Sequence, residues 1–142
     1  TNVAFSTQTN VTYMMVKTKY GTSVYRTDAN NHVRRVINNA SIGRIAIMQS
    51  EDRLLYDNEK GVVYSLRNSG RRIRISPEDD KYALIGTDQN DNIYLARLSS
   101  PGVVNSVLKG SINGDFQEHK ILDNPYPLAS VTIDYDGKLR LT

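Results

Sequence analysis

The side chains best suited to binding a ligand stand in the short polar segments between the apolar runs of this sequence. Carboxylates and amides recur there, and one tyrosine could stack on a ligand. If these segments meet on one side of a rigid scaffold, they form an acidic, amide-rich surface. The alternative is a set of ordinary solvated turns. The residues of this predicted surface are Asp28, Asn30, Asn31, Asp57, Asn58, Glu59, Asp79, Asp123 and Tyr126.

Arginines recur in segments that we predict to be outer strands. A stripe of guanidinium groups could hold a polyanion such as an acidic glycan. Nucleic acid is disfavoured as a partner, because no aromatic side chains for base stacking are interleaved with the arginines. We favour edge protection, since charged outer strands prevent sheets from pairing edge to edge. The stripe comprises Arg34, Arg35, Arg67, Arg71, Arg72 and Arg74.

The sequence contains no recognisable catalytic or metal-binding pattern, so we predict no catalytic residue, no metal ligand and no cofactor. It has two histidines, no cysteine and no G-x-S-x-G or phosphate-binding glycine motif. The segments that begin at Asp88 and Asp134 resemble calcium loops. After Asp88, however, Ile93 and Ser99 stand where an EF-hand requires Gly and Glu. We therefore interpret both segments as hairpin turns.

Length and composition predict one globular domain. The chain has 142 residues, of which 39% are hydrophobic and 23% charged, and a net charge of +3. No apolar run approaches the ~18 residues of a membrane span. The absence of cysteine excludes disulfides and leaves the compartment open, with a secreted or extracytoplasmic location favoured. Because the sequence starts at Thr1, we expect a processed chain or a piece of a larger protein.

Short β-branched and aromatic runs separated by turn residues predict an all-β chain. Segments 16–25, 47–56 and 85–94 align without gaps, and each passes from a β-branched residue through a polar turn to an apolar-Tyr pair. A weaker copy lies at 134–139. Repeats of roughly 30 to 45 residues made of short strands are typical of one four-stranded sheet each.

Such a sheet is too thin to bury both of its faces alone, whereas stacking sheets about an axis buries them. We therefore predict a β-propeller-like array of about three to four four-stranded antiparallel blades. The predicted units are 12–41, 43–80 and 81–125, followed by a hairpin at 129–142 that segment 2–8 would complete, all within one domain, 1–142. The first unit is expected to be one strand short.

Particular stretches resemble known propeller repeats. Residues 21–36 (GTSVYRTDANNHVRRV) resemble the NHL-type repeat, in which an aromatic strand leads through Asp and an Asn-His turn into a basic-apolar strand. Residues 55–71 (LYDNEKGVVYSLRNSGR) and 131–139 (VTIDYDGKL) are similar to TolB-like repeats. The resemblance implies a fold and no particular function. Unequal repeat lengths and the lack of tryptophan depart from both families.

Three units and a hairpin leave a propeller ring short, because propellers have about four to eight blades. Segment 2–8 could close a four-bladed ring by pairing with the terminal hairpin. Alternatively, two chains assemble into a larger ring, or the chain is part of a longer propeller. The alternative fold is a β-trefoil, whose three four-stranded repeats suit this length.

Three functions stay open on this sequence. We favour a non-catalytic recognition or scaffold module that binds a protein or a glycan through rim loops. The second possibility is a metal-dependent hydrolase or lactonase, of the kind found on six-bladed propellers, with a cation in the channel. The candidate ligands for that cation are Glu51, Asp88, Asn92 and Asp134. A carbohydrate-binding lectin would use the recurring Tyr25, Tyr56 and Tyr94, although their mid-strand positions suit packing between blades better.

Overall fold

A computed structural model describes residues 3–67 and 70–142, which form three four-stranded antiparallel sheets and a two-stranded hairpin. The first sheet contains β1 (Val3–Ser6), β2 (Val11–Thr18), β3 (Gly21–Thr27) and β4 (Val33–Ala40). The second contains β5 (Ile45–Ile47), β6 (Leu54–Asp57), β7 (Val63–Leu66) and β8 (Arg72–Arg74). The third contains β9 (Lys81–Thr87), β10 (Ile93–Ser100), β11 (Val103–Gly110) and β12 (Gln117–Pro127). A 3-10 turn (Leu128–Ser130) precedes the hairpin of β13 (Val131–Ile133) and β14 (Leu139–Leu141).

Each sheet is a meander whose strands pair in sequence order. The first strands β1, β5, β9 and β13 contact one another in that order, so they line a common axis. Apolar clusters fill the spaces between neighbouring sheets. This array of stacked blades confirms the predicted propeller-like fold class. The β-trefoil alternative is wrong, because the strands form separate meanders. None of the described residues belongs to a helix long and apolar enough to cross a membrane.

The second sheet shows why the sheets must stack. Leu54 and Leu55 are neighbours in β6, so their side chains point to opposite faces, yet both are 0% exposed. Leu54 packs with Tyr13 and Val24 of the first sheet. Leu55 packs with Leu84 of the third sheet. A sheet with both faces buried needs a neighbour on each side, which the propeller arrangement provides.

The first sheet has four strands rather than the three predicted. Val3–Ser6 pairs with β2, placing Val3 opposite Met14, and becomes the strand beside the axis. It does not complete the terminal hairpin, which has two strands within the described residues. The gap-free repeat alignment is shifted by one strand in the first sheet. It matched the β2–β3 hairpin to the β5–β6 and β9–β10 hairpins, because all three carry a polar turn and an apolar-Tyr pair.

Four hairpins use the same five-residue turn, which an Asp or Asn at its first position stabilises. One side-chain oxygen of that residue accepts the backbone N–H groups of the third and fifth residues, at 2.8–3.1 Å. The fourth residue has a φ between 62 and 84°, which Gly, Asn and Asp adopt most readily. The turns begin at Asp28, Asn58, Asp88 and Asp134.

The turns fall at two opposite ends of the sheets because neighbouring strands are antiparallel. We call the end with the turns after the first and third strands of each sheet the first rim. The second rim carries the turns after the second strands and the connections between sheets. Backbone hydrogen bonds join neighbouring sheets on both: Gln89 N–H to Tyr135 O (2.9 Å) on the first rim, and Tyr82 N–H to Gly61 O (2.8 Å) on the second.

Candidate functional site

The structure divides the predicted acidic surface between the two rims. Asp28, Asn30 and Asn31 lie in the β3–β4 turn, on the first rim. The β6–β7 turn and the β8–β9 connection lie on the second rim, and they carry Asn58, Glu59 and Asp79. The prediction that these loops share one side of the molecule therefore does not hold. It took β3 as the second strand of its sheet, but β1 makes β3 the third strand, and the turn after a third strand lies on the first rim.

A cleft of about 560 Å³ opens on the second rim between the second and third sheets. Glu59 comes from the β6–β7 turn, Asp80 and Lys81 from the connection and the start of β9, and residues 98–101 from the end of β10 and the turn after it. Charged side chains therefore border the apolar surfaces of Leu98 and Pro101. Such a cleft can accept a ligand with a polar group and an apolar body. We call it the second-rim cleft.

Asp79, beside this cleft, belongs to a network around Arg97. Its Oδ1 accepts the Tyr82 hydroxyl at 2.7 Å, and its Oδ2 lies 3.7 Å from the Arg97 guanidinium. Arg97 also pairs with Glu118 at 3.0 Å and approaches Asp80 at 3.7 Å. Burial raises the pKa of Tyr82, and the bond to Asp79 raises it further, while Arg97 lowers it. The network fixes the cleft wall.

Asp57 lies beneath the second rim and is 4% exposed. Its Oδ1 accepts the Arg44 backbone N–H at 2.7 Å, and its Oδ2 accepts the Leu84 N–H at 2.8 Å. Burial raises the pKa of Asp57, while these amides and the Arg44 charge oppose the increase. The carboxyl therefore ties β6 to the start of β5 and to β9, and it is not available on the surface.

Asp123 and Tyr126 lie within β12 rather than in a loop. The strand bulges there, since Ile121 pairs with Ser106 but Tyr126 pairs with Val104. The Tyr126 hydroxyl donates to the Thr142 carbonyl at 2.8 Å. The tyrosine also packs against the apolar cluster under the hairpin. Asp123 and Tyr126 both line a cleft of about 430 Å³ between β12 and the end of β14.

On the first rim, Asp28 serves its own turn. Its carboxylate accepts the N–H groups of His32 and Asn30, and these bonds, that of His32 first, lower the pKa of Asp28. The exposed Asn30 and Asn31 side chains stand at the tip of this turn.

Part of the basic stripe converges in a second cleft. Arg34, Arg35 and Arg67 line a space of about 220 Å³ between the outer parts of the first and second sheets, on the first rim. Tyr13 and Val36 also line it. None of the three arginines makes an ion pair within the described part of the chain. Their charge is therefore open to solvent or to an anion.

The other arginines of the stripe contact their own sheet. Arg72 lies over the Tyr64 ring, 4.5 Å from its centroid. Arg74 donates to the Ser76 carbonyl at 3.0 Å and to the Pro77 carbonyl at 2.8 Å. Both lie in β8, the outermost strand of its sheet, where charge protects the edge. Arg71 directly precedes that strand.

The residues considered for a channel cation have local partners. Asp88 accepts the Asn92 side-chain amide at 2.9 Å and the Tyr94 hydroxyl at 2.8 Å, and its other oxygen stabilises its turn. Asp134 stabilises the hairpin turn in the same way. Both segments are hairpin turns, as predicted. Across residues 3–67 and 70–142, no three His, Cys, Asp or Glu side chains form a group that could hold a metal.

Two of the three recurring tyrosines pack between sheets, and the third lies on an outer face. Tyr94 is 1% exposed and Tyr56 lies 5.5 Å from Tyr64, centroid to centroid, between the first two sheets. Tyr25 lies opposite Met14 on the face of the first sheet turned away from the second.

Sequence reasoning missed Arg44, which directly precedes β5. Its side chain is half-buried near the axis, where Nη2 donates to the Leu128 carbonyl at 2.8 Å and Nη1 lies 3.5 Å from the Leu84 and Val131 carbonyls. It lines a pocket of about 380 Å³ together with side chains of β5, β9 and β13. A lone arginine before a three-residue strand carries no sequence motif, so no signal distinguished it from surface arginines.

No known family profile matches this sequence, and no curated protein matches it significantly. Solved structures do match its fold. TolB from Acinetobacter baumannii shares 15% identity at a TM-score of 0.71, over 96% of this chain and 35% of TolB. A virginiamycin B lyase from Staphylococcus aureus shares 10% identity at a TM-score of 0.63, over 96% and 46% of the two chains. A luciferin-regenerating enzyme shares 14% identity at a TM-score of 0.54, over 92% of this chain and 47% of the enzyme.

These three neighbours are β-propeller proteins, which confirms the likeness to propeller repeats at the level of the fold. The chain spans about a third to a half of the length of the propellers it matches. At these identities the likeness shows the fold alone.

Proposed function

We propose that the chain is a non-catalytic recognition module that binds a protein segment or a glycan at the second rim. The observation that supports this proposal is the second-rim cleft, because turns and strand ends from three different segments of two stacked sheets converge there. Binding sites concentrate on loops that a rigid scaffold positions.

The cleft combines the features that a recognition site needs. The Arg97 network holds Asp79 and Asp80 at its edge, so little side-chain entropy is lost when a ligand binds. Glu59 and Lys81 supply charges of both signs, and Leu98 and Pro101 supply apolar contact area. This arrangement favours binding and orientation of a polar ligand.

The test uses Ser100→Arg, which inserts a long side chain into the cleft from an exposed position. Asn113→Arg is the matched control, since Asn113 is exposed in the β11–β12 turn on the first rim. The immobilised chain is screened against a glycan array and a displayed peptide library. We expect Ser100→Arg to weaken the strongest binder about ten-fold or more, the scale of one lost anchoring contact, while Asn113→Arg leaves it unchanged. Equal loss in both variants, or no binder in either screen, would contradict the proposal.

A further inference from the structure

We infer that the axial pocket around Arg44 binds a carboxylate group attached to an apolar body. The pocket is lined by Arg44, Ile45, Ile85, Ala129, Thr132 and Ile133, and its volume is about 380 Å³. It shares no lining residue with the second-rim cleft, so this inference goes beyond the proposed function.

Among the described residues, the Arg44 guanidinium has no carboxylate in direct contact, although the charge of Asp57 stabilises its protonated form. The partners of its guanidinium are the carbonyl oxygens of Leu84, Leu128 and Val131, and two of these contacts are long, at 3.5 Å. No ion pair involving Arg44 forms within residues 3–67 and 70–142. Asp57, an acid of the same sheet, accepts the backbone N–H groups of Arg44 and Leu84 rather than the guanidinium.

A guanidinium in this position is prepared to receive an anion. Burial lowers the pKa of Arg44, which reports the loss of water around it, yet an arginine keeps its proton at neutral pH. A planar guanidinium offers donors in a fork that matches both oxygens of a carboxylate. Because the folded chain has already removed part of the water around Arg44, the local dielectric constant is lower there. The attraction between Arg44 and an anion is therefore stronger than at an exposed arginine.

The walls of the pocket specify the rest of the ligand. Ile45, Ile85 and Ile133 come from three different first strands, and they present apolar surface next to the guanidinium. Thr132 adds one exposed hydroxyl. The isoleucine side chains can contact an aliphatic segment bonded to the carboxylate. A free aliphatic acid and the carboxyl terminus of a polypeptide with an apolar last residue share this chemistry.

The test measures binding by titration calorimetry of the 142-residue chain with sodium octanoate. The matched probe is 1-octanol, which has the same apolar body without the charge. N-acetyl-Val-Leu as the free acid and as its amide forms the second pair of probes. We expect each acid to bind roughly ten- to a hundred-fold more tightly than its neutral partner, as for one hydrogen-bonded charge pair. Octanoate binding alone identifies a small acid as the ligand, whereas stronger binding of the peptide acid identifies a polypeptide terminus.

Replacing Arg44 removes its contacts with three backbone carbonyls and could unfold the chain, so the deciding variant is at the exposed Thr132. Thr132→Glu places a carboxylate at the mouth of the pocket, where it competes with the ligand for Arg44. Thr132→Gln has the same size without the charge. We expect Thr132→Glu to abolish binding of the acids and Thr132→Gln to retain it. Equal binding of acid and neutral probes, equal effects of both variants, or no binding of either acid would overturn the inference.

Discussion

Two clusters of the same three residue types lie at opposite rims of the molecule. In the first, Tyr13 of β2 lies opposite Arg26 of β3, and both bond to Asp52 of the β5–β6 turn. In the second, Tyr82 of β9 lies opposite Arg97 of β10, and both contact Asp79. The pairing of Tyr and Arg across neighbouring strands is the same in both.

The clusters differ in where the aspartate comes from and in how much water reaches it. Asp52 belongs to the next sheet and its side chain is 16% exposed, whereas Asp79 precedes the strand that carries Tyr82 and is 62% exposed. The first cluster therefore joins two blades through buried charges. The second holds a rim wall in place and leaves carboxylates accessible to a ligand. The same residue types thus hold two blades together at the first rim and keep carboxylates accessible to a ligand at the second rim.

Asp52→Ala tests the buried cluster most severely. It leaves the mostly buried Arg26 guanidinium without its carboxylate and the Tyr13 hydroxyl without its acceptor. Breaking a buried ion pair from one side costs about 3–5 kcal/mol, and we expect a loss of that size in the free energy of unfolding. Urea denaturation measures it. Asp52→Asn is the control, because its amide oxygen still accepts a hydrogen bond. We expect it to lose less free energy of unfolding than Asp52→Ala. A loss below about 1 kcal/mol would place this cluster with surface pairs.

Tyr13→Phe tests how much the Tyr13 hydroxyl contributes to the free energy of unfolding and at which pH that contribution is lost. Removing a buried hydroxyl that bonds to a charge should cost about 1–3 kcal/mol near neutral pH. Burial, reinforced by Asp52, raises the pKa of Tyr13 above its ordinary value of 10.0. The unfolded chain therefore ionises first, and the stability that the phenol contributes is lost as the pH rises above about 10.

The measurement is urea denaturation of wild type and Tyr13→Phe at pH 8 and pH 11. The stability difference between them should shrink at the higher pH. Tyr82→Phe is the comparison variant and should lose less stability, because the Tyr82 hydroxyl bonds to Asp79, which is 62% exposed, whereas the Tyr13 hydroxyl bonds to Asp52, which is 16% exposed. A difference that stays constant with pH would show that Tyr13 is not ionised differently in the two states.

These clusters also show what the sequence could and could not predict. Strand periodicity and turn residues predicted the stacked sheets, because alternation and turn chemistry are local. The assignment of turns to rims failed at one point, the short β1, and that single strand moved Asp28 to the other end. Arg44, Asp52 and the interblade arginine cleft depend on which sheets become neighbours. Contacts between sheets leave no local sequence pattern, so the roles of these residues can be assigned only from the folded structure.

Asp79→Ala should have the smallest effect of the series. Its pairing with Arg97 spans 3.7 Å at an exposed position, and Arg97 retains Glu118 at 3.0 Å. The Tyr82 hydroxyl also loses its acceptor, but water can replace a carboxylate that is 62% exposed. Exposed pairs contribute about 0.2–1 kcal/mol and weaken as salt rises. We expect a loss within that range by urea denaturation, and a smaller one in about 1 M salt than in 0.1 M, since the Debye length shortens. Because Asp79 supports the wall of the second-rim cleft, the same variant should weaken ligand binding more than it weakens folding. A stability loss as large as that of Asp52→Ala would erase the contrast between the two rims.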